Sequence, residues 1–414
     1  MQALIIGGGI GGLTTALSLQ ASGIQCAVYE QSPVIRELGV GVNLLPHATK
    51  ILATLGLLDG LDRVAIPTYE LFYSNRFGQQ LWHELRGCHA GHDFPQFSVH
   101  RGKLQGLLYE AAKVRVGEQC IHTGHRLLDF TQDDRGVTAR FSIRGSASDT
   151  ATARGDFLIA ADGIHSTVRH ALYPAEGPPA WNGVMLWRGA VRHAPFLTGR
   201  SMIIAGGMNA KLVLYPIAGD ASDDGSVLLN WAVTAKVSDG CKPPPRREDW
   251  SRPGRLEELL PHVEGVFRLP MVDPVEVIRA TPVFYEYPMC DRDPLPRWSF
   301  NRVTLLGDAA HPMYPVGSNG ASQAILDGCS LQQQLAPERD ITTSLIAYDE
   351  ERRLATARIV RENRSGGPER VIDLIEGRAP EGFTRLDDVA SRTELEGIVR
   401  GYSNLAGFDR VSAE

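Results

Sequence analysis

Largely apolar runs at Ala3–Ile6, Cys26–Tyr29, Phe157–Ala161 and Val303–Leu306 read as short strands, and each stops at a glycine or an acidic residue. Between and after them the spacing changes to that of helices. Leu13, Ala16, Leu17 and Leu19 share one helical face, residues 102 to 112 predict a second helix, and Ala321, Ala324, Ile325, Gly328, Leu331 and Leu335 predict a third. The stretch from 181 to about 280 follows another rule. Val184–Val191, Ser201–Ala205, Lys211–Tyr215 and Ser226–Val233 are separated by glycine, proline and aspartate turns, which predicts a mostly antiparallel sheet. Alternation in Met185–Gly189 and Leu228–Ala232 gathers large apolar side chains, Trp187 and Trp231 among them, on one face. That face reads equally well as the wall of a planar-ligand pocket and as a sheet packed on helices. Tyr69–Ser74 with Leu81-Trp82 predicts a further hairpin of the same sheet. Near the end, a long helix through Leu345, Tyr348 and Ile359 carries Glu350, Glu351, Arg352 and Arg353, a charge pattern typical of a solvated face. Gly366-Gly367-Pro368 breaks it, a short helix spans Val371–Ile375, and the polar tail either closes over the molecule or pairs with a second subunit.

The fold class that follows is α/β, with a Rossmann-type nucleotide domain, a mostly antiparallel sheet domain and C-terminal helices. A chain of 414 residues suggests two domains. We expect residues 1–68, 98–180 and 281–365 to form the first, 69–97 and 181–280 the second, and 366–414 a helical segment. A net charge of -6 argues against nucleic acid as the main partner. The six cysteines form no CxxC pair, which fits reduced thiols in a cytoplasm and no metal. Neither a signal peptide nor a membrane span is predicted.

The first strand runs straight into Gly7-Gly8-Gly9-Ile10-Gly11-Gly12. Gly7, Gly9 and Gly12 fill the GxGxxG pattern in strand–turn–helix context: tight turn, backbone approach to a pyrophosphate, close helix–strand packing. Glu30 ends the second strand, 18 residues past Gly12, where a carboxylate would hold a ribose diol. A second candidate site is RVTLLGDAAHPMYPVGSNGASQAILDGCSL, from Arg302 to Leu331. Gly307-Asp308 ends a strand, Pro312 and Pro315 forbid regular structure, and Gly317 to Gly320 lead into the N-terminus of a helix, whose free N–H groups favour an anion. No Ser-His-Asp arrangement supports a hydrolase.

GDAAHPMYPVGSNGA resembles the second flavin-binding motif of the single-component FAD-dependent aromatic hydroxylases, and Asp162-Gly163 with Arg169 resembles their DG motif. GVGVN, HRGKLQ, MLWRG and YPMCDRDPLPRW stand close to phenazine hydroxylases within that family, and the likeness runs with gaps from Leu4 to about Arg353. It fades at about 205–214, 220–252 and the C-terminal segment.

The resemblance implies noncovalent FAD held by Gly7, Gly9, Gly11, Gly12, Glu30 and Gln31, by Gly41 and Val42, and by Arg101, with Arg36 reading equally as a surface arginine. It implies further contacts from Asp162, Gly163 and Arg169, and from Gly307, Asp308, Pro315, Gly317, Asn319, Gly320 and Ala321. Pro315 would shape the oxygen side, Gly317 would open the helix whose positive end steadies the reduced ring, and His311 is a candidate acid/base that reads more readily as a structural group. Trp187, Arg188, Tyr215, Trp231, Met289 and Pro315 are the substrate-side candidates. The implied reaction uses NADH or NADPH as a transient co-substrate and O2, and hydroxylates a planar aromatic or heteroaromatic compound, a phenazine-like carboxylate among the options, through a flavin hydroperoxide. An FAD-dependent reductase that inserts no oxygen, and a flavin-binding protein without turnover, are the alternatives. A monomer and a homodimer both remain open.

Overall fold

A computed structural model describes residues 1–35, 40–145, 149–219, 225–246, 249, 251–335 and 339–408. Its first layer is a parallel sheet in the order Val303–Leu305, Phe157–Ala160, Gln2–Ile6, Gln25–Glu30, Ile121–Thr123. The strands read from apolar runs are its centre, and Leu4, Ile5, Val28, Leu158 and Ile159 are fully buried because helices cover one face and a three-stranded antiparallel sheet, His125–Asp133, Gly136–Ile143 and Thr150–Gly155, covers the other. The first helix, Ile10–Ala21, crosses the later helix Gly320–Gln334 closely. Two glycines permit the approach. A Cβ on Gly11 would fall 2.8 Å from Leu306 and 3.2 Å from Ala324, and one on Gly328 2.7 Å from Thr15.

The second large layer is a seven-stranded sheet in the order Phe284–Asp291, Ala180–His193, Val227–Lys236, Ala210–Ala218, Ser201–Ala205, Glu70–Ser74, Gln80–Leu85. The expected hairpin pairs within it, Glu70–Ser74 running parallel to Ser201–Ala205 while the other neighbours are antiparallel. Alternation divides this sheet cleanly. Met185, Trp187, Leu212, Leu214, Leu229, Trp231 and Val233 lie in one core with Leu259, Val277 and Ile278, contributed by short helices between 256 and 279. Arg188, Lys211, Val213, Tyr215, Ala232 and Thr234 face the other way. Of the two readings left open for this sheet, packing on helices is the one that holds for the tryptophans.

The long helix runs from Ile341 to Arg364. Its charged stretch is only partly solvated: Arg352 is buried and its Nε donates to Asp327 at 2.8 Å, so a face that reads as surface contains a structural ion pair. The C-terminal segment closes over the molecule. Val371, Ile372, Ile375, Leu395 and Val399 pack on Leu71, Tyr73 and Leu81 of the hairpin, and Tyr402 and Phe408 on Leu45 and Ile359. Among the described residues no helix is long and apolar enough to cross a membrane.

Candidate active site

A cavity of about 750 Å³ lies between the carboxyl ends of the parallel strands and the open face of the seven-stranded sheet. At its first end the glycine turn divides its tasks. Gly7 has φ +109°, and a Cβ there would come 2.3 Å from the Ala161 carbonyl. Gly12 lies beneath the cavity, where a Cβ would meet the Gly7 carbonyl at 2.0 Å, so it serves helix–strand packing. Gly7, Gly9 and Gly11 line the cavity, and a Cβ on Gly9 would meet nothing within 4 Å. No side chain caps the first helix at Gly9, which leaves its opening N–H groups for a ligand. Glu30 accepts from Gly8 N at 2.8 Å and from Ser32 N at 2.7 Å, one bond per oxygen, and each oxygen keeps a lone pair for a ligand. Gln31 and Val42 also line the cavity, whereas Arg36 lies outside the described residues. Gly41 is closely packed, with Tyr215 and Ile217 each 2.7 Å from where its Cβ would be, and its N–H is held by Asn230 Oδ1 at 2.7 Å.

Charges converge further in. Asp162 accepts from Ser166 Oγ at 2.5 Å and Thr167 N at 2.8 Å; burial raises its pKa, and these bonds only partly offset that. Gly163 beside it has φ +80° and open space where a side chain would be. The Asp308 carboxyl is exposed to the cavity but deep within the molecule, and burial raises its pKa against the opposing pull of His311 and Arg101. Burial likewise lowers the pKa of Arg101, which Asp308 counteracts. The two side chains thus form an interacting pair of opposite sign along one wall.

Three candidates from the sequence prove to be supports. His311 is buried outside the cavity lining, its Nε2 2.6 Å from Asp327 Oδ2 and its ring tilted against Trp298. Asp327 gathers that histidine, Arg352 and the Gly307 N–H at 3.0 Å; burial pushes its carboxyl up, but the neighbouring His311 and Arg352 outweigh burial and hold it below the ordinary range. The acid/base role for His311 therefore has no access to a ligand. Arg169 is also buried away from the cavity, clamped by Glu176 and donating to the Ala309 and Ala310 carbonyls at 3.1 and 2.8 Å, so it braces the loop rather than touching a cofactor. Gly317 has φ +66° and packs against Tyr402, outside the cavity lining. Gly307, Asp308, Pro315, Asn319, Gly320 and Ala321 do line it.

On the sheet side Arg188, Tyr215 and Met289 line the cavity, while Trp187 and Trp231 do not. The tryptophan wall expected from alternation is thus corrected: their indole N–H groups donate to Glu286 at 3.2 Å and Thr281 at 2.8 Å in the core behind the sheet. Arg188 donates to the Tyr287 hydroxyl at 3.2 Å and to the Gly41 carbonyl, and its buried Nε has no hydrogen-bond partner among the described residues. Burial pushes the Tyr215 phenol up to about 12, against the pull of Arg188. Sequence reasoning missed Lys211 and Glu369, a buried ion pair at the cavity wall, together with Asn43, Asn363 and Tyr285. Alternation along the strand from Tyr215 would have found Lys211; nothing local marks Glu369 or Asn363.

The cavity fits FAD at its strand-end half. A glycine turn and a helix N-terminus suit a pyrophosphate, Glu30 suits a ribose, and Asp308 with Arg101 suit the polar chain between phosphate and ring. Open space above Gly9, Gly163 and Gly320 leaves room for it.

Comparison with known proteins agrees. A family model described as FAD binding domain matches residues 1–188 and 280–363. A phenazine 1,6-dicarboxylic acid hydroxylase of Lysobacter antibioticus is 41% identical over 363 residues, 87% of this chain and 88% of that protein. A 3-amino-4-hydroxybenzoate 2-monooxygenase of Streptomyces platensis is 32% identical over 401 residues, 93% and 94% of the two chains. Among solved structures, Klebsiella pneumoniae HpxO in complex with FAD and uric acid superimposes with a TM-score of 0.75 at 25% identity, covering 100% of this chain and 98% of that one.

Proposed function

The chain belongs to the FAD binding domain family and is an FAD-dependent aromatic monooxygenase, and on that premise we propose that its substrate is a planar polycyclic heteroaromatic carboxylate of the phenazine type. One observation carries the substrate reading: among the described residues the sheet-side wall combines flat apolar surface with one inward guanidinium group, that of Arg188, whose Nε has no hydrogen-bond partner there. Leu186, Val213, Ala232 and Met289 supply apolar contact, and Tyr215 and Tyr285 supply rings. Lys211 is already neutralised by Glu369, which leaves Arg188 as the cation suited to a carboxylate. The 41% identity to a hydroxylase named for a phenazine dicarboxylate supports the same substrate class.

The chemistry that FAD would supply when held there is hydride acceptance from NAD(P)H and activation of O2 for transfer to the aromatic ring. Glu30, Arg101 and Asp308 orient the cofactor; Asp162 and Gly163 border its path. Pro315 and the N-terminus of the helix Gly320–Gln334 meet the ring region, the helix end favouring negative charge there. Tyr215 and Met289 exclude water. In this reading segments 1–68, 98–180 and 292–365 hold the cofactor, and 69–97 with 181–291 supply the substrate wall; the boundary expected at 280 moves to 291 because the strand Phe284–Asp291 pairs in the seven-stranded sheet.

The test is NAD(P)H oxidation by the FAD-loaded enzyme with phenazine mono- and dicarboxylates beside 3-hydroxybenzoate and urate, followed by product mass. The expected result is strong stimulation by a phenazine carboxylate and a product carrying one added oxygen. Coupled hydroxylation of a single-ring compound, with phenazines inert, would overturn the substrate class. Reduction of FAD with no oxygenated product from any compound would count against oxygen insertion.

A further inference from the structure

The turn between Pro315 and Gly320 is the strained part of the cavity wall. Gly317 and Ser318 both have positive φ, +66° and +59°, and for serine that region is unfavourable. Such a turn persists only where its surroundings hold it. Here the holding groups come from the C-terminal segment, which carries none of the flavin motifs. Glu369 Oε1 accepts the Gly317 N–H at 3.3 Å, while its other oxygen is ion-paired with Lys211 of the substrate-side sheet. The Tyr402 hydroxyl accepts from Asn319 Nδ2 at 2.9 Å and donates to Asn363 Oδ1 at 2.7 Å. Asn363 in turn donates to the Tyr314 carbonyl at 3.0 Å, on the other side of the turn. A side chain on Gly317 would strike the Tyr402 ring, its Cβ 2.4 Å from the hydroxyl oxygen. Tyr402 and Glu369 are 2% and 4% exposed, so both bonds are made in a low-dielectric interior where an unmade partner is costly.

We propose that Tyr402 and Glu369 are positioning residues for the flavin reaction: they clasp the Pro315–Gly320 turn from both sides and fix where Asn319 and the following helix N-terminus face the cavity. Glu369 also ties that turn, through Lys211, to the wall that receives substrate. The C-terminal segment is then a component of the active site: Glu369 stands at the cavity wall, and Tyr402 acts from behind it through Asn319.

Tyr402→Phe keeps the ring and removes the hydroxyl; Glu369→Gln keeps the shape and removes the charge. Each is purified as holoenzyme, and the flavin midpoint potential and visible absorption bands are recorded without aromatic substrate, beside the thermal midpoint. The expected result is a more negative potential and shifted bands in Tyr402→Phe, and shifted bands in Glu369→Gln with a potential that differs from the parent's, the lost turn contact lowering it and the uncovered Lys211 raising it; the band shift of a double variant is less than the sum of the two, because both act on one turn. A folded Tyr402→Phe holoenzyme with the parent's potential and spectrum would overturn the proposal, as would a fall in thermal midpoint unaccompanied by either change. If Tyr402→Phe yields no soluble holoenzyme, Glu369→Gln decides by the same two readouts. The proposal rests on FAD being bound but not on which compound is hydroxylated, and since no substrate is added, failure of the substrate reading leaves these measurements unaffected.

Discussion

Trp187 and Arg188 are consecutive on one strand and serve opposite faces of the sheet: the indole of Trp187 donates to Glu286 in the helix-covered core, and the guanidinium of Arg188 donates to Tyr287 and Gly41 at the cavity. The pleat makes such a division unavoidable, so only one of the two can meet the substrate. The assignment of stability to the tryptophan and binding to the arginine is open to direct measurement.

Trp187→Ala and Trp231→Ala should each lower stability by about 3 to 5 kcal/mol, the usual cost of emptying a buried aromatic site. Denaturant midpoints check this, with the substrate concentration for half-maximal NAD(P)H oxidation staying at the parent value in the folded fraction. A raised substrate requirement at unchanged stability would return the tryptophans to the pocket.

Arg188→Leu should weaken binding of an aromatic carboxylate by about 1.5 to 3 kcal/mol, the worth of a charge-assisted hydrogen bond. Substrate titration followed by flavin absorbance is the measurement. The corresponding decarboxylated ring should bind parent and variant alike; equal losses for both compounds would mean that Arg188 acts through the Gly41 loop instead.

Glu30→Ala should loosen FAD by about 1.5 to 3 kcal/mol in a dialysis titration, since a ribose would lose a charged acceptor and Gly8 N a partner. Asp308→Ala should lower FAD occupancy or the rate of flavin reduction while the ranking of aromatic compounds stays the same. Altered substrate choice with normal flavin behaviour would move Asp308 to the substrate side.

Asp327→Asn should cost about 3 to 5 kcal/mol at pH 7, because it leaves Arg352 buried without its anion. The folded carboxyl titrates below its ordinary 3.8, near 2, so its contribution is present above pH 3.8 and is lost as pH falls towards 2. The gap between parent and variant should therefore be constant from neutral pH to about 5 and narrow below 4. Denaturation midpoints at several pH values test the sign, and a gap that widens in acid would contradict it.

The cofactor half of the site was legible because its signals are local: a strand, a glycine turn and a helix occupy Gln2–Ala21 in unbroken order, and Glu30 closes the next strand. The substrate half was legible only as two faces. Alternation placed Trp187 opposite Arg188, but which face is covered depends on helices some 70 to 90 residues later, Leu256–Leu259 and Pro274–Arg279. His311 and Arg169 sit in motif positions, yet their partners Asp327 and the Ala309 and Ala310 carbonyls are set by tertiary packing that no spacing announces. The clasp at Gly317 was invisible for the same reason, Tyr402 lying 83 residues beyond Asn319.

The parallel pairing of Glu70–Ser74 with Ser201–Ala205 also has a bearing on synthesis. Ser201 follows Glu70 by 131 residues, so at elongation rates of about 5 to 20 residues per second the hairpin leaves the ribosome roughly 7 to 26 seconds before its neighbour exists. Throughout that interval Leu71 and Tyr73, both almost completely buried in the finished protein, have only their own hairpin and lack Met202 and Ile204 of the neighbouring strand. The nascent chain then carries exposed apolar surface over a definite stretch of translation, and slow codons between these two segments would lengthen the time it spends there.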